Sequence, residues 1–288
     1  MLYRDVSHFV RPDLETVEPA QLLGRICVRS PYFALRQLQY EASTLWATAA
    51  YQGPVSRETG PMPGAEISRH AAIAGLSVAA MSQPDSLRRY YLAQEATYRG
   101  ERNSVPFGHD VQFTAELLDL DKRQARSRIR AHALGQTVAE VEVLYTILTD
   151  MAFSRLFRHR HQPEFLGAGQ DDLAALPSGT TRREGDRLIR EIGSIPAAAC
   201  AGHFDGYPAM PVALLMGQLA RLAGEAFGGA FHIHEASVQA SDFCWAGEAT
   251  TFEVAPSRVS ALRTTYACSA HADDRLVGQM TLTLEHRI

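Results

Sequence analysis

With 288 residues, 46% of them hydrophobic, the chain can bury a large core as one long domain or two of modest size. A formal net charge of −4 excludes a nucleic-acid surface held by bulk charge, and residues 1–19 are broken by Arg4, Asp5, Arg11, Asp13 and Glu15, so they do not read as a signal peptide. The four cysteines, Cys27, Cys200, Cys244 and Cys268, share no CxxC spacing and read as free buried thiols of a cytoplasmic protein.

In chain order, residues 23–51 are rich in aromatic and branched side chains, carry no helix cap and read as strand. A turn-rich loop over 53–64 leads into AEISRHAAIAGLSVAAM, a helix of small and apolar residues reaching about Met81. Four strands are predicted near 90–99, 111–120, 124–134 and 137–148. In the last, Ala139, Val141, Val143, Tyr145 and Ile147 share one face and Glu140 and Glu142 the other. Asp119-Leu120-Asp121 and Gly135-Gln136 supply hairpin chemistry between them. Residues 151–185 hold RLFRHRHQPEF and then few apolar positions at either period, which reads as a connector. After it come strand text over 186–200, a second turn-rich entrance, a helix from Pro211 to about Phe227, and strands near 232–243, 249–256, 261–270 and 276–285. From Val212 to Ala223 only Gln218 and Arg221 are strongly polar, so this helix is predicted to be wrapped on all sides; it is too short and broken to cross a membrane.

The order therefore repeats. Met62-Pro63-Gly64 and Met210-Pro211-Val212 introduce the two helices 148 residues apart, which pairs Arg69 with Gly217, His70 with Gln218 and Ala72 with Ala220. The division is 1–150, a connector over 151–185, and 186–288. The second entrance resembles the motif of the hotdog-fold beta-hydroxyacyl-ACP dehydratases, in which G-H-F-P-G-x-P-x-M-P-G leads into a helix carrying E-A-x-A-Q. Gly202, His203, Phe204, Gly206, Pro208, Met210, Pro211, Ala220 and Gly224 fall in register with it. Asp205 replaces a proline, Val212 replaces a glycine, and Gly217 stands where the family keeps its catalytic glutamate.

The resemblance implies an α+β double hotdog: two antiparallel sheets, each wrapped around a long central helix and able to join edge to edge. It implies a site between the halves, with a thioester carried by acyl carrier protein or CoA at a helix N-terminus, and no cofactor. The implied function is a 3-hydroxyacyl dehydratase-like enzyme of fatty-acid or polyketide type with non-standard catalytic residues. The alternatives are an acyl thioesterase and a non-catalytic acyl-binding protein. No nucleic acid or membrane span is expected, and a homodimer is possible.

The candidate catalytic residues are His70, His203 and Asp205. His203 reads as a loop-fixing residue or a general base; Asp205 as a partner of His203, a base on water, or the acceptor of an Asx-turn. Gly64, Arg69, Tyr207 and Gln218 are the candidate substrate-binding residues. Gly64 is expected to leave its amide open at the positive end of the first helix, a better oxyanion position than the bulkier Val212. Successive helical residues diverge by about 100°, so at most one of Arg69 and His70 faces a ligand squarely. The close histidines of 158–161 and 232–234 lack carboxylates or thiols at metal-site spacing, and no metal is assigned.

Overall fold

The computed structural model describes residues 14–53, 56–165 and 174–286. The reading of residues 1–13 as no leader, part of the first entrance loop, and residues 166–173 of the expected connector lie outside these.

Strand β1 (Glu15–Thr16) and a short helix α1 (Pro19–Leu23) precede β2 (Arg36–Glu41) and β3 (Thr44–Ala49). Only the later part of the 23–51 stretch is therefore strand. In the earlier part side chains take over backbone pairing: Arg29 donates to the carbonyls of Ile26 and Val28 at 2.8 and 3.0 Å, and Arg25 to those of Ala80 and Asp85. Helix α2 (Gly64–Met81) follows, then β4 (Arg89–Gly100), β5 (Val111–Leu120), β6 (Gln124–Ala133) and β7 (Gln136–Thr149), at the predicted places to within about two residues. The expected face of β7 is the buried one, with Glu140 and Glu142 half-buried on the other. Leu134 and Gly135 both have positive φ, 49° and 75°, the conformation a two-residue hairpin of this twist requires.

The connector carries more structure than its composition suggests. Helix α3 (Asp150–Leu156) is capped by Thr149, whose hydroxyl accepts the Ala152 amide at 3.2 Å, and it buries Phe153. A 3₁₀ turn spans Arg158–Arg160, and β8 (Thr180–Glu184) pairs with β9 (Arg187–Ser194). Then come a 3₁₀ turn over Ala197–Cys200, β10 (Ala209–Met210), α4 (Val212–Phe227), β11 (Phe231–Ala240), β12 (Cys244–Trp245), β13 (Ala249–Val259), β14 (Arg263–Ala272) and β15 (Arg275–His286).

The two sheets expected from the sequence are one. Thirteen strands run in the order β1-β2-β3-β5-β6-β7-β4-β11-β15-β14-β13-β9-β8, a near-palindrome about the antiparallel pair β4 and β11; β10 and β12 form a separate ribbon. The seam places Ala96 opposite Val238 and Tyr98 opposite Ala236, and pairing there removes two exposed edges. Helix α2 lies against β3, β5, β6 and β7, and α4 against β9, β13, β14 and β15, so each half of the sheet has its own helix. The helices also touch each other. A methyl group on Gly217 would meet the Cβ of Ala65 at 3.4 Å, so small residues set their approach. Tyr145 ties α2 to the sheet, its hydroxyl donating to the Ala72 carbonyl at 2.8 Å. The four cysteines are free and buried. Among the described residues no helix is long and apolar enough to cross a membrane.

Candidate functional site

The helices leave an apolar slot between them, floored by the seam. Its larger part, about 170 Å³, is bounded by Tyr32, Ala72, Tyr145, His203, Phe204 and Phe243, and its exposed rim by Gln94, Ser241 and Asp242. The second part, about 70 Å³, continues between Gly64, Ala65, Tyr98, Met216, Ala220 and Ile233. Ala72, Ala93, Val212 and Ala213 border both.

The entrance loop of α4 shapes the wider part. Gly202 has φ of 75° and lies so close to the Arg29 and Ser30 backbone that a Cβ would collide with it; its carbonyl accepts the Arg29 amide at 2.7 Å. The next residue, His203, has its ring stacked on Phe204 at 3.8 Å between centroids and meets Tyr32 edge-on at 5.3 Å. Because a carbonyl can only accept, the 2.8 Å contact to Ala209 O makes Nδ1 the protonated nitrogen. Nε2 is thus a bare acceptor, and among the described residues it has no hydrogen-bond partner. Enclosure of the ring pushes its pKa down to about 4, the Ala209 bond opposing this only in part. The imidazole is neutral at pH 7.

The two helix N-termini differ. At α4, the Leu214 and Leu215 amides bond to Pro211 O at 3.0 and 3.2 Å, while the Val212 and Ala213 amides have no partner among the described residues. Both residues border the slot. At α2, the Gly64 amide donates to Glu58 Oε1 at 2.6 Å. Burial raises the Glu58 carboxyl to about 8, with the Gly64 bond opposing, so it is mostly protonated at pH 7. The expectation that Gly64 holds an open amide is therefore not met: Glu58 closes it, leaving only the Ala65 amide without a partner among the described residues at α2, whereas at α4 both of the first two amides, Val212 and Ala213, are open.

The remaining candidates are dispersed. Arg69 and His70 are fully buried away from the slot. Arg69 Nη2 contacts Gln52 Oε1 at 2.5 Å and Glu66 Oε1 at 2.8 Å, and His70 Nε2 lies 3.2 Å from both Arg69 Nη2 and Glu66 Oε1. The His70 ring leans on Phe113 of β5, and burial lowers its pKa against the opposing bond from Glu66. Asp205 does not orient His203, whose Nδ1 is already engaged. It is half-buried and borders neither part of the slot; burial raises its pKa, with Arg29 and Arg88 opposing. Tyr207 belongs to an aromatic cluster with Phe153 and Phe204, and Gln218 is half-buried outside the slot. Glu66 was legible in principle, at spacings of three and four before Arg69 and His70. Tyr32 was not, since nothing local marks a residue that reaches His203 only through the fold.

This architecture is the hotdog fold. No protein-family profile matches the chain, and no curated protein matches it. Among solved structures, a TesB protein of Mycobacterium avium subspecies paratuberculosis is 14% identical with a TM-score of 0.56, over 88% of this chain and 96% of that one. A 12:0-ACP thioesterase from Umbellularia californica is 11% identical with a TM-score of 0.54, over 85% and 95%. The acyl-CoA thioesterase II TesB2 of Mycobacterium marinum is 10% identical with a TM-score of 0.52, over 89% and 95%.

Proposed function

We propose that the protein is a hotdog-fold acyl-thioester hydrolase whose site is the slot between α2 and α4. The observation that carries this reading is the convergence on one apolar slot of an unbonded imidazole nitrogen at His203 and two unbonded amides at the start of α4. The acyl chain lies along the seam, where Ala72, Ala93, Met216 and Ala220 supply the lining. The carbonyl oxygen points at the Val212 and Ala213 amides, where the helix dipole adds partial positive charge. Water held by Nε2 of His203 attacks the carbonyl carbon, its proton passing to the imidazole as the oxygen becomes anionic. The C–S bond then breaks, the carbonyl re-forms and the imidazolium returns the proton to the leaving thiolate. A ring with a pKa near 4 is a weak base but a strong acid in that second step. The amides supply the stabilisation of the anionic intermediate.

Dehydration of a 3-hydroxyacyl group is less well served. It needs a second proton-transfer group opposite the imidazole, and the two helix positions for one are Gly217, packed on Ala65, and Arg69, engaged by Glu66 and Gln52. The presence of thioesterases among the structural neighbours supports hydrolysis in the same direction. The test is mass spectrometry of products from saturated, 3-hydroxyacyl and enoyl thioesters. Release of free acid and thiol is expected. Water loss with the thioester intact would return the dehydratase reading, and binding without turnover would leave an acyl-binding protein.

A further inference from the structure

Helix α3 and its flanks put apolar and cationic side chains together on the outside of the protein. Leu87, Met151 and Leu156 are 64%, 80% and 59% exposed. They belong to one region, since Arg88 pairs with Asp150 at 3.1 Å and Arg89 lies opposite Thr149 across β4 and β7. Arg155, Arg158 and His159 are exposed in the same segment. Most nearby carboxylates are engaged, Asp85 by Arg89, Asp150 by Arg88, Glu248 by Arg160 and Arg275 and Asp242 by Arg275, and half-buried Asp205 lies toward Arg29 and Arg88. Among the described residues Arg155 and Arg158 have no ion-pair partner. The result is a surface of excess positive charge interleaved with apolar side chains, and methionine and arginine are residues that protein interfaces favour.

This surface backs directly onto the slot. Phe153 of α3 stacks on Tyr90 at 3.6 Å and meets Phe204 at 5.3 Å, and Phe157 meets Phe243 at 5.0 Å. Phe204 and Phe243 are walls of the slot, and Asp242 of its rim adjoins Phe243. A free CoA thioester offers phosphates to the arginines but only one adenine ring to cover Leu87, Met151 and Leu156. An acidic protein carrying its thioester on a flexible arm offers both contacts and can reach the rim. We infer that the α3 surface is the docking face for an acidic carrier protein that delivers its thioester-linked acyl group at Gln94, Ser241 and Asp242.

The chemistry after docking rests on the hydrolase reading, whereas docking does not, and two measurements separate them. One is affinity for an acidic acyl carrier protein loaded through a non-hydrolysable amide; the other is hydrolysis of acyl carrier protein thioesters against acyl-pantetheine and acyl-CoA. In the doubly reversed variant Arg155→Glu, Arg158→Glu, and separately in Met151→Ala, Leu156→Ala, carrier binding and kcat/KM on the carrier substrate should fall by about tenfold or more, with acyl-pantetheine changed less than about twofold. Added salt should weaken carrier binding to the wild type and little further in the charge-reversed variant. Unchanged carrier binding in both variants overturns the proposal, as does an equal loss on acyl-pantetheine. Equal loss on acyl-CoA with Met151→Ala, Leu156→Ala silent would make the patch a phosphate site and also overturn it. If the wild type hydrolyses none of the substrates, the hydrolase reading falls, and carrier binding lost in the variants still upholds the docking face.

Discussion

The entrances of α2 and α4 begin alike, each with Met-Pro at the helix start, and differ at the first amide, which is capped at α2 and open at α4. At α2 a protonated carboxyl from Glu58 caps the Gly64 amide, with Tyr98 and Ile233 packed around it. At α4 the first two amides are unbonded, and His203 stands in the preceding loop with Nε2 unengaged. A helix N-terminus has four orphan amides, and it is a place for developing charge only if the protein has not already satisfied them. The sequence argument weighed glycine against valine at the first position; the structure turns on what approaches that position from elsewhere.

The comparison breaks most sharply at His203. Replacement by Gln should lower hydrolysis by roughly 10² to 10⁴-fold while circular dichroism and unfolding midpoint stay near wild type. Near-normal turnover in that variant removes the imidazole from the chemistry. In the wild type, kcat/KM should rise with pH as the ring loses its proton near 4 and then level off toward neutrality.

Proline at the two helix starts is a finer probe, because proline is tolerated at a first helical position and removes the N–H. Val212→Pro should cost roughly 10² to 10³-fold in kcat, the usual loss for one oxyanion donor, at little cost in stability. Gly64→Pro should do the reverse and destabilise the fold, by about 1–3 kcal/mol for the buried Glu58 acceptor left unpaired and further through crowding of the new ring against Tyr98 and Ile233. Similar kinetic losses in both variants would erase the distinction between the entrances.

Glu58 makes a smaller, pH-dependent difference. Its carboxyl is raised from an ordinary 4.5 to about 8, so the folded state keeps a proton that the unfolded state releases, and stability falls as pH rises through that window. The slope is at most about 1.4 kcal/mol per pH unit. Between pH 7 and 8 His203 is neutral in the folded state and only a minor fraction is charged in the unfolded one, whose ring has the ordinary value of 6.5, so its contribution is small and of opposite sign. Glu58→Gln should flatten the urea-unfolding curve in that interval, and an unchanged slope would show that Glu58 does not set it. The smallest effect is expected at Gly217→Ala, where the new methyl would stand 3.4 Å from Ala65 Cβ: helix propensity should stabilise the protein by about 0.5–1 kcal/mol, without loss of turnover. Destabilisation there would mean that the helices already touch as closely as they can.

How much of this was legible follows from how local each feature is. The alternation of β7, the hairpin at Gly135, the apolar text of both helices and the 148-residue offset are short-range patterns, and each reappears within about two residues of where the sequence put it. Helix α3 was missed because its order comes from Phe153 entering an aromatic cluster whose other members, Tyr90, Phe204 and Tyr207, are far away in the chain. His203 and Gly202 were marked by their motif. The roles of their neighbours were not, since Tyr32 reaches His203 only across the joined halves and Asp205, two residues away, faces Arg29 and Arg88 instead.

By itself the sequence determined the repeat, the strand and helix text and the residues able to face a core, since these depend on side-chain period and turn chemistry along a few consecutive residues. Only the tertiary structure decided that the sheet is continuous, that Glu58 closes one helix start and that the other stays open beside His203. Burial, and the pairing of a buried amide or carboxyl, are set by which distant segments meet.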